Sequence, residues 1–196
     1  MEENDEVMDL LNPEKQAAMK LRKELSDLKD NYSVLLMISK EKYEETYLEL
    51  TKKLMEDFGS GVYVTVNKES SDLISEMKEL GIDTDKIHFI DAVTEMVSEE
   101  VNIKKNVELV SSPNDLVELN ILVENAIAKK QKGFLIFDSL TTLEVYNDEK
   151  SVEKFAHSLS QETKNSSIND VFLIMKHSKE ELIETIAQFF DKIIEL

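Results

Sequence analysis

The sequence has no cysteine, so disulfides, thiolate metal sites and thiol nucleophiles are all excluded. That absence fits a reducing cytosol, and a cytoplasmic location is the expectation. Only 2 prolines and 4 glycines among 196 residues leave little material for long irregular loops. Arginine occurs once, as Arg22; every other cation is a lysine. Arginine is the side chain suited to bidentate phosphate and guanine recognition, so its scarcity weighs against nucleic-acid binding. Apolar runs are short, and none approaches the roughly 20 residues needed to span a bilayer. The opening Met1-Glu2-Glu3-Asn4-Asp5-Glu6 is acidic, whereas a secretory leader requires a basic start and an apolar run. No leader is expected.

What the chain has in excess is acid. There are 41 Asp and Glu against 23 Lys and Arg, for a net charge of -18. Such a field repels phosphate backbones and anionic lipid surfaces. Lys104-Lys105 and Lys129-Lys130 are too short to offset it locally. Neither nucleic acid nor a membrane is expected as a partner. Hydrophobic residues at 41% and charged residues at 33% are an ordinary balance for one globular domain.

Periodicity divides the chain into an acidic tail with an N-terminal helix, residues 1–31, and an α/β domain, residues 32–196. Asn12-Pro13 reads as a helix start. Ala18, Leu21, Leu25 and Leu28 then repeat every three or four residues on one face, which either packs on its own domain or dimerises. Val34-Leu35-Leu36-Met37-Ile38 is continuous and apolar, as in a strand covered on both faces. Similar strands are expected at 62–66, 87–90, 133–138 and 171–175, with short ones near 107–110 and 193–196. Helices are expected over 41–58, 71–80, 112–130, 149–162 and 179–190, with Leu116, Leu119, Ile121 and Val123 feeding the core. Strands alternating with helices of this length specify right-handed crossovers and a mostly parallel sheet.

Ligands of such sheets bind beyond the carboxyl ends of the strands. The segment after the first strand reads Ser39-Lys40-Glu41-Lys42-Tyr43-Glu44-Glu45-Thr46. A phosphate loop there would read G-x-x-x-x-G-K-[ST]. Thr46 falls where the magnesium-binding hydroxyl belongs, but Ser39 and Glu44 replace the glycines and Glu45 the lysine. Glycines let backbone N–H groups close around phosphate oxygens. A carboxylate in place of the lysine repels a phosphate about 4 Å away by about 4 kcal/mol at an effective dielectric of 20. Asp138 ends the most apolar strand, where a magnesium-organising aspartate would sit. Asp138-Ser139-Leu140 also reads as a helix start with Asp138 as its cap.

Gly133-Phe-Leu-Ile-Phe-Asp138-Ser139-Leu-Thr141-Thr-Leu resembles the strand-plus-aspartate segment of KaiC-like members of the RecA superfamily of ATPases. Ser111-Ser112-Pro113-Asn114-Asp115-Leu116, Leu80-Gly81-Ile82-Asp83 and Phe189-Phe190-Asp191 are similar to archaeal proteins of that group. The resemblance runs from about residue 32 to residue 196. It implies a RecA-like three-layer sandwich, nucleotide at subunit edges and a tendency to assemble. In active relatives the loop after the second strand supplies acids that polarise the attacking water. Here Asn67 and Lys68 stand there, and no arginine finger comes from the core.

The three histidines, His88, His157 and His177, form no metal motif. His88 is read as structural, and His177 lies near the end of a strand. Glu41, Glu44, Glu45 and Glu49 form either a solvated acidic face or, with Asp138, a weak cation site. A phosphorelay receiver is a rival fold, with Asp91 and Lys176 at fitting strand ends but Ser39-Lys40 where an acidic pair belongs. The resulting expectation is a non-catalytic pseudo-ATPase that acts as a protein-interaction or regulatory module. Its partner would be itself or an active relative, met through assembly edges and the stripe from Ala18 to Leu28. No metal or cofactor is expected. The alternative is an atypical ATP or ADP sensor, or weak ATPase, built on Thr46, Asp138 and Ser139 around the degenerate positions Ser39, Glu44 and Glu45.

Overall fold

Mostly apolar runs of three to seven residues, many β-branched or aromatic, form the strands, and helices carry the chain from one strand to the next. The structure, a computed structural model, describes residues 13–97, 105–130 and 132–196. The acidic tail expected over residues 1–12, Asn12 as a cap, and Lys104 lie outside the described residues. The first helix, α1 (Pro13–Ser26), precedes β1 (Ser33–Ile38), and a 3-10 turn (Lys40–Lys42) leads into α2 (Tyr43–Phe58). Next come β2 (Gly61–Thr65), α3 (Ser70–Glu79), a second 3-10 turn (Thr84–Lys86), β3 (Ile87–Asp91), the short α4 (Thr94–Val97) and β4 (Val107–Leu109). The second half comprises α5 (Leu116–Ala128), β5 (Phe134–Asp138), α6 (Leu140–Tyr146), α7 (Glu149–Asn165), β6 (Asn169–Met175), α8 (Glu180–Ala187) and β7 (Lys192–Glu195).

The seven strands form one sheet in the order β4-β3-β2-β5-β6-β1-β7. Every pairing is parallel. Two apolar layers sandwich it. Leu21 and Leu25 of α1, Leu50 and Leu54 of α2, and Leu73 and Met77 of α3 pack on Leu36, Tyr63, Phe89 and Ile136. On the other face Leu119 and Val123 of α5, Leu143 of α6, Phe155 and Leu159 of α7, and Leu182 of α8 pack on Val64, Phe137 and Phe172. Crossovers running toward β4 therefore use one face and those running toward β7 the other, as a single handedness requires. The expected RecA-like α/β sandwich is present. A receiver order, 2-1-3-4-5, is not, because β1 lies between β6 and β7.

Of the two readings of the α1 stripe, packing on its own domain holds: Leu21 and Leu25 are buried against the core. Three local expectations are corrected. Helix α5 begins at Leu116, not at Ser112-Pro113. Asp115 caps it by accepting from the Glu118 N–H at 2.8 Å, while the Asp115 N–H closes a turn on the Ser112 carbonyl at 2.9 Å. Ile121 of that helix faces outward instead of feeding the core. The last helix stops at Ala187, and Phe190 turns back to meet the Phe172 ring edge-on at 5.1 Å.

Candidate functional site

The sheet reverses its winding between β2 and β5, and such a switch opens a crevice beyond the strand ends. Asp138 is the last residue of β5 and pairs in register with Thr65 of β2. Register partners in parallel strands point to the same face, so Tyr63, two residues before Thr65, lies along that face toward Asp138. Its phenol donates to Asp138 Oδ2 at 2.8 Å. Tyr43, the first residue of α2, donates to the same oxygen from above. Asn67 Nδ2, from the loop after β2, donates to Oδ1 at 3.1 Å. The Asn67 carbonyl in turn accepts from the Thr142 hydroxyl. The Asp138–Ser139 peptide is cis.

Asp138 is completely enclosed. Burial raises its carboxyl above the ordinary aspartate range, and the donors Tyr43, Tyr63 and Asn67 work against that rise. Desolvation and the nearby Asp138 charge push the phenols of Tyr43 and Tyr63 upward, so both stay protonated donors. A buried carboxylate with this many donors is satisfied within the chain and has no lone pair turned to solvent. Asp138 is thus a strand-terminal anchor and does not cap α6. Ser139 holds the cap position, its Oγ accepting from the Thr142 N–H at 3.4 Å.

The segment after β1 does not arch outward. Ser39 leads at once into the turn Lys40–Lys42, which closes through the Lys42 N–H on the Ser39 carbonyl at 3.1 Å. Glu41 is an exposed acid in the first turn of this segment. Its own N–H, then the Ser39 hydroxyl, hold it below the usual glutamate range, with Lys40 and His177 adding attraction. Glu44 and Glu45 follow in the first turn of α2, where negative charge suits the helix dipole.

The candidate residues named from sequence separate into two places. Asp138 and Ser139 sit together at the β2–β5 crevice, with Asn67 beside them. Thr46 is buried elsewhere, in a narrow cleft lined by Ala17, Leu21, Glu49 and Leu196. The cation site considered from Glu41, Glu44, Glu45 and Glu49 with Asp138 does not form: Arg22 clamps Glu49 and Glu56, and Asp138 is enclosed. Among the described residues no group of three or more His, Asp or Glu is arranged to hold a metal. Nor is any described helix long and apolar enough to cross a membrane. Lys68 bonds Glu76 at 2.5 Å and the Tyr47 phenol at 3.1 Å, closing the second-strand loop from the side. Tyr43 and Tyr63 escaped sequence reasoning. The available signal was a tyrosine in a fully buried strand, whose hydroxyl must find a partner such as a strand-end aspartate.

Solved structures share this architecture. A KaiC-like protein, PH0186, from Pyrococcus horikoshii OT3 is similar with a TM-score of 0.59 and 17% identity, covering 86% of this chain and 72% of its own. An uncharacterized protein, PH0321, from Pyrococcus horikoshii, solved in complex with an unknown peptide, is similar with a TM-score of 0.66 and 11% identity. That match covers 90% of this chain and 82% of the other. No curated protein matches the chain. Residues 36–196 match DUF7504, and the chain belongs to this family of unknown function.

Proposed function

We propose that this chain is a RecA/KaiC-like domain whose phosphate loop has degenerated, and that it works without catalysis as a protein-interaction or regulatory module. The observation that carries this reading is the enclosure of Asp138 by Tyr43, Tyr63 and Asn67. An aspartate that organises magnesium must present an oxygen to the metal or its water, and here the first turn of α2 covers that oxygen. Glu41, Glu44 and Glu45 support the same reading from the neighbouring turns, because an incoming phosphate would approach like charges. The similarity of the fold to an uncharacterized archaeal protein holding an unknown peptide is compatible with a binding role.

A second reading, an atypical nucleotide sensor, draws on one observation. Lys40 and the His177 ring lie near Glu41 where β1 and β6 end, a lysine and an imidazole together on an acidic protein. Equilibrium dialysis of labelled ATP with magnesium separates the two. The proposal expects no retained nucleotide up to millimolar concentration. One equivalent bound per chain would establish the sensor instead.

A further inference from the structure

Helix α5 is apolar nearly all the way round. Leu119, Val123, Ala126 and Ile127 enter the core, yet Val117 and Ile121, a turn apart on the opposite side, remain 71% and 51% exposed. A helix with two apolar faces normally has both covered. Helix α6 ends similarly, with Val145 77% and Tyr146 39% exposed. The two elements are tied together where Asn147, capping α6, donates to the Pro113 carbonyl at 3.0 Å in the turn that leads into α5. Four exposed apolar side chains therefore lie on two helices of the layer formed by α5, α6 and α7, joined through the Asn147–Pro113 bond.

The two helices and their flanks are acidic. Residues 111–128 and 139–149 contain Asp115, Glu118, Glu124, Glu144, Asp148 and Glu149 and no lysine or arginine. Lys179 reaches in to Glu144 at 2.6 Å and Glu149 at 3.5 Å. No lysine bridges Asp115, Glu118 or Asp148 among the described residues. The exposed Lys129 and Lys150 follow directly after the two segments. An apolar patch rimmed by unneutralised carboxylates complements a surface that is apolar and basic.

We propose that Val117, Ile121, Val145 and Tyr146 dock a basic amphipathic helix of another protein, its apolar face on these side chains and its cations on Asp115, Glu118 and Asp148. This assignment rests on the interaction-module reading and names the partner's chemistry. A second copy is disfavoured, since two such surfaces would oppose the same acids on chains that each carry -18. The chain's own residues 1–12 are disfavoured too, because Glu2, Glu3, Asp5, Glu6 and Asp9 come without a cation.

The probe is a labelled helical peptide of leucine and lysine, followed by fluorescence anisotropy. A leucine–glutamate peptide and a serine–lysine peptide of the same length serve as controls. Wild-type protein binds the leucine–lysine peptide, more weakly as salt rises, and neither control. The double variant Val117→Ser with Val145→Ser alters only exposed positions and no charge, and it weakens binding by about tenfold or more. Glu118→Gln weakens it and reduces the salt dependence. Equal binding by the double variant, or no binding by wild type, overturns the proposal. A wild-type dimer abolished by the double variant, seen by sedimentation, assigns the surface to a second copy and overturns it as well. Nucleotide binding is scored separately. Its absence together with a negative peptide result removes only this docking surface, whereas its presence removes the reading of a degenerate, nucleotide-free site.

Discussion

The phenol of Tyr63, in the middle of β2, donates to the carboxylate of Asp138 at the end of β5 over 2.8 Å, inside a fully enclosed pocket. The contact joins the two central strands on the face covered by α2 and α3. It follows from parallel register, which sets Thr65 opposite Asp138 and leaves Tyr63 two residues behind on the same face. Tyr63→Phe keeps the ring and removes one donor from a buried carboxylate. The expected cost is about 1–3 kcal/mol in urea unfolding, because the remaining charge keeps its desolvation without full compensation. A change within about 0.5 kcal/mol, the usual range for an inert surface substitution, would mean that Asp138 does not depend on this bond.

At the opposite end of the sheet a second buried carboxylate gives a pH dependence. Burial, the largest influence, pushes Asp170 up to about 7 despite hydrogen bonds from Ser33 and Thr163 and attraction from Lys164; Asp191 adds a further upward push. A carboxyl that binds its proton more tightly in the folded chain supports the fold fully below its unfolded pKa. That contribution fades as pH rises through the folded value. The window here runs from about 4 to about 7. Asp91 acts in the opposite sense: burial raises it, but hydrogen bonds from Thr94 and Ser70 together hold it below the usual range. The informative quantity is therefore the difference between wild type and Asp170→Asn. Relative to the variant, wild type loses stability across that window, by a few kcal/mol. A flat difference would place the Asp170 proton elsewhere.

Helix α1 is held by two kinds of contact that differ in worth. Leu21 is wholly buried against α2 and the sheet, whereas Arg22 reaches Glu49 and Glu56 near the surface. Leu21→Ala should cost about 2–5 kcal/mol, from lost transfer energy plus a cavity. Arg22→Ala should cost at most about 1 kcal/mol, since a solvent-screened pair gains little. If α1 instead contributed a dimer face, Leu21→Ala would change the sedimentation of the protein and leave unfolding of the monomer unaltered.

Gly61 opens β2 directly opposite Phe134, and a Cβ built on it would lie 2.4 Å from the ring. Gly61→Ala should therefore destabilise by about 1–3 kcal/mol, as overpacking does. Adding Phe134→Leu should recover part of that loss, giving a favourable coupling in the double-mutant cycle. Strict additivity would show that the ring is free to move aside.

The fold was legible because each strand is a short apolar run flanked by turn residues, and each long helix repeats its apolar positions. Gly81 even adopts the left-handed conformation expected after α3, with φ of +74°. The site was legible only in part. Asp138 and Ser139 could be located, since a polar pair after an apolar strand marks a strand end. Their partners could not, because Tyr43 and Tyr63 meet Asp138 through the packing of α2 on the sheet and through register, neither of which local sequence encodes. Thr46 misled for a related reason. Loop spacing placed it beside a phosphate, but the chain turns into α2 directly after Ser39 and buries Thr46 on the side of α1. Ile121 misled because an all-apolar helix does not declare which side meets the core.

The most direct test of the central claim is a thermal-unfolding scan with and without millimolar ATP or ADP plus magnesium. A ligand at about 100 times its dissociation constant adds roughly 2.7 kcal/mol, which in a domain of this size raises Tm by roughly 5–10 °C. With Asp138 enclosed and Glu41, Glu44 and Glu45 in the turns after β1, the account predicts the same Tm with and without nucleotide. A magnesium-dependent rise of several degrees would contradict it.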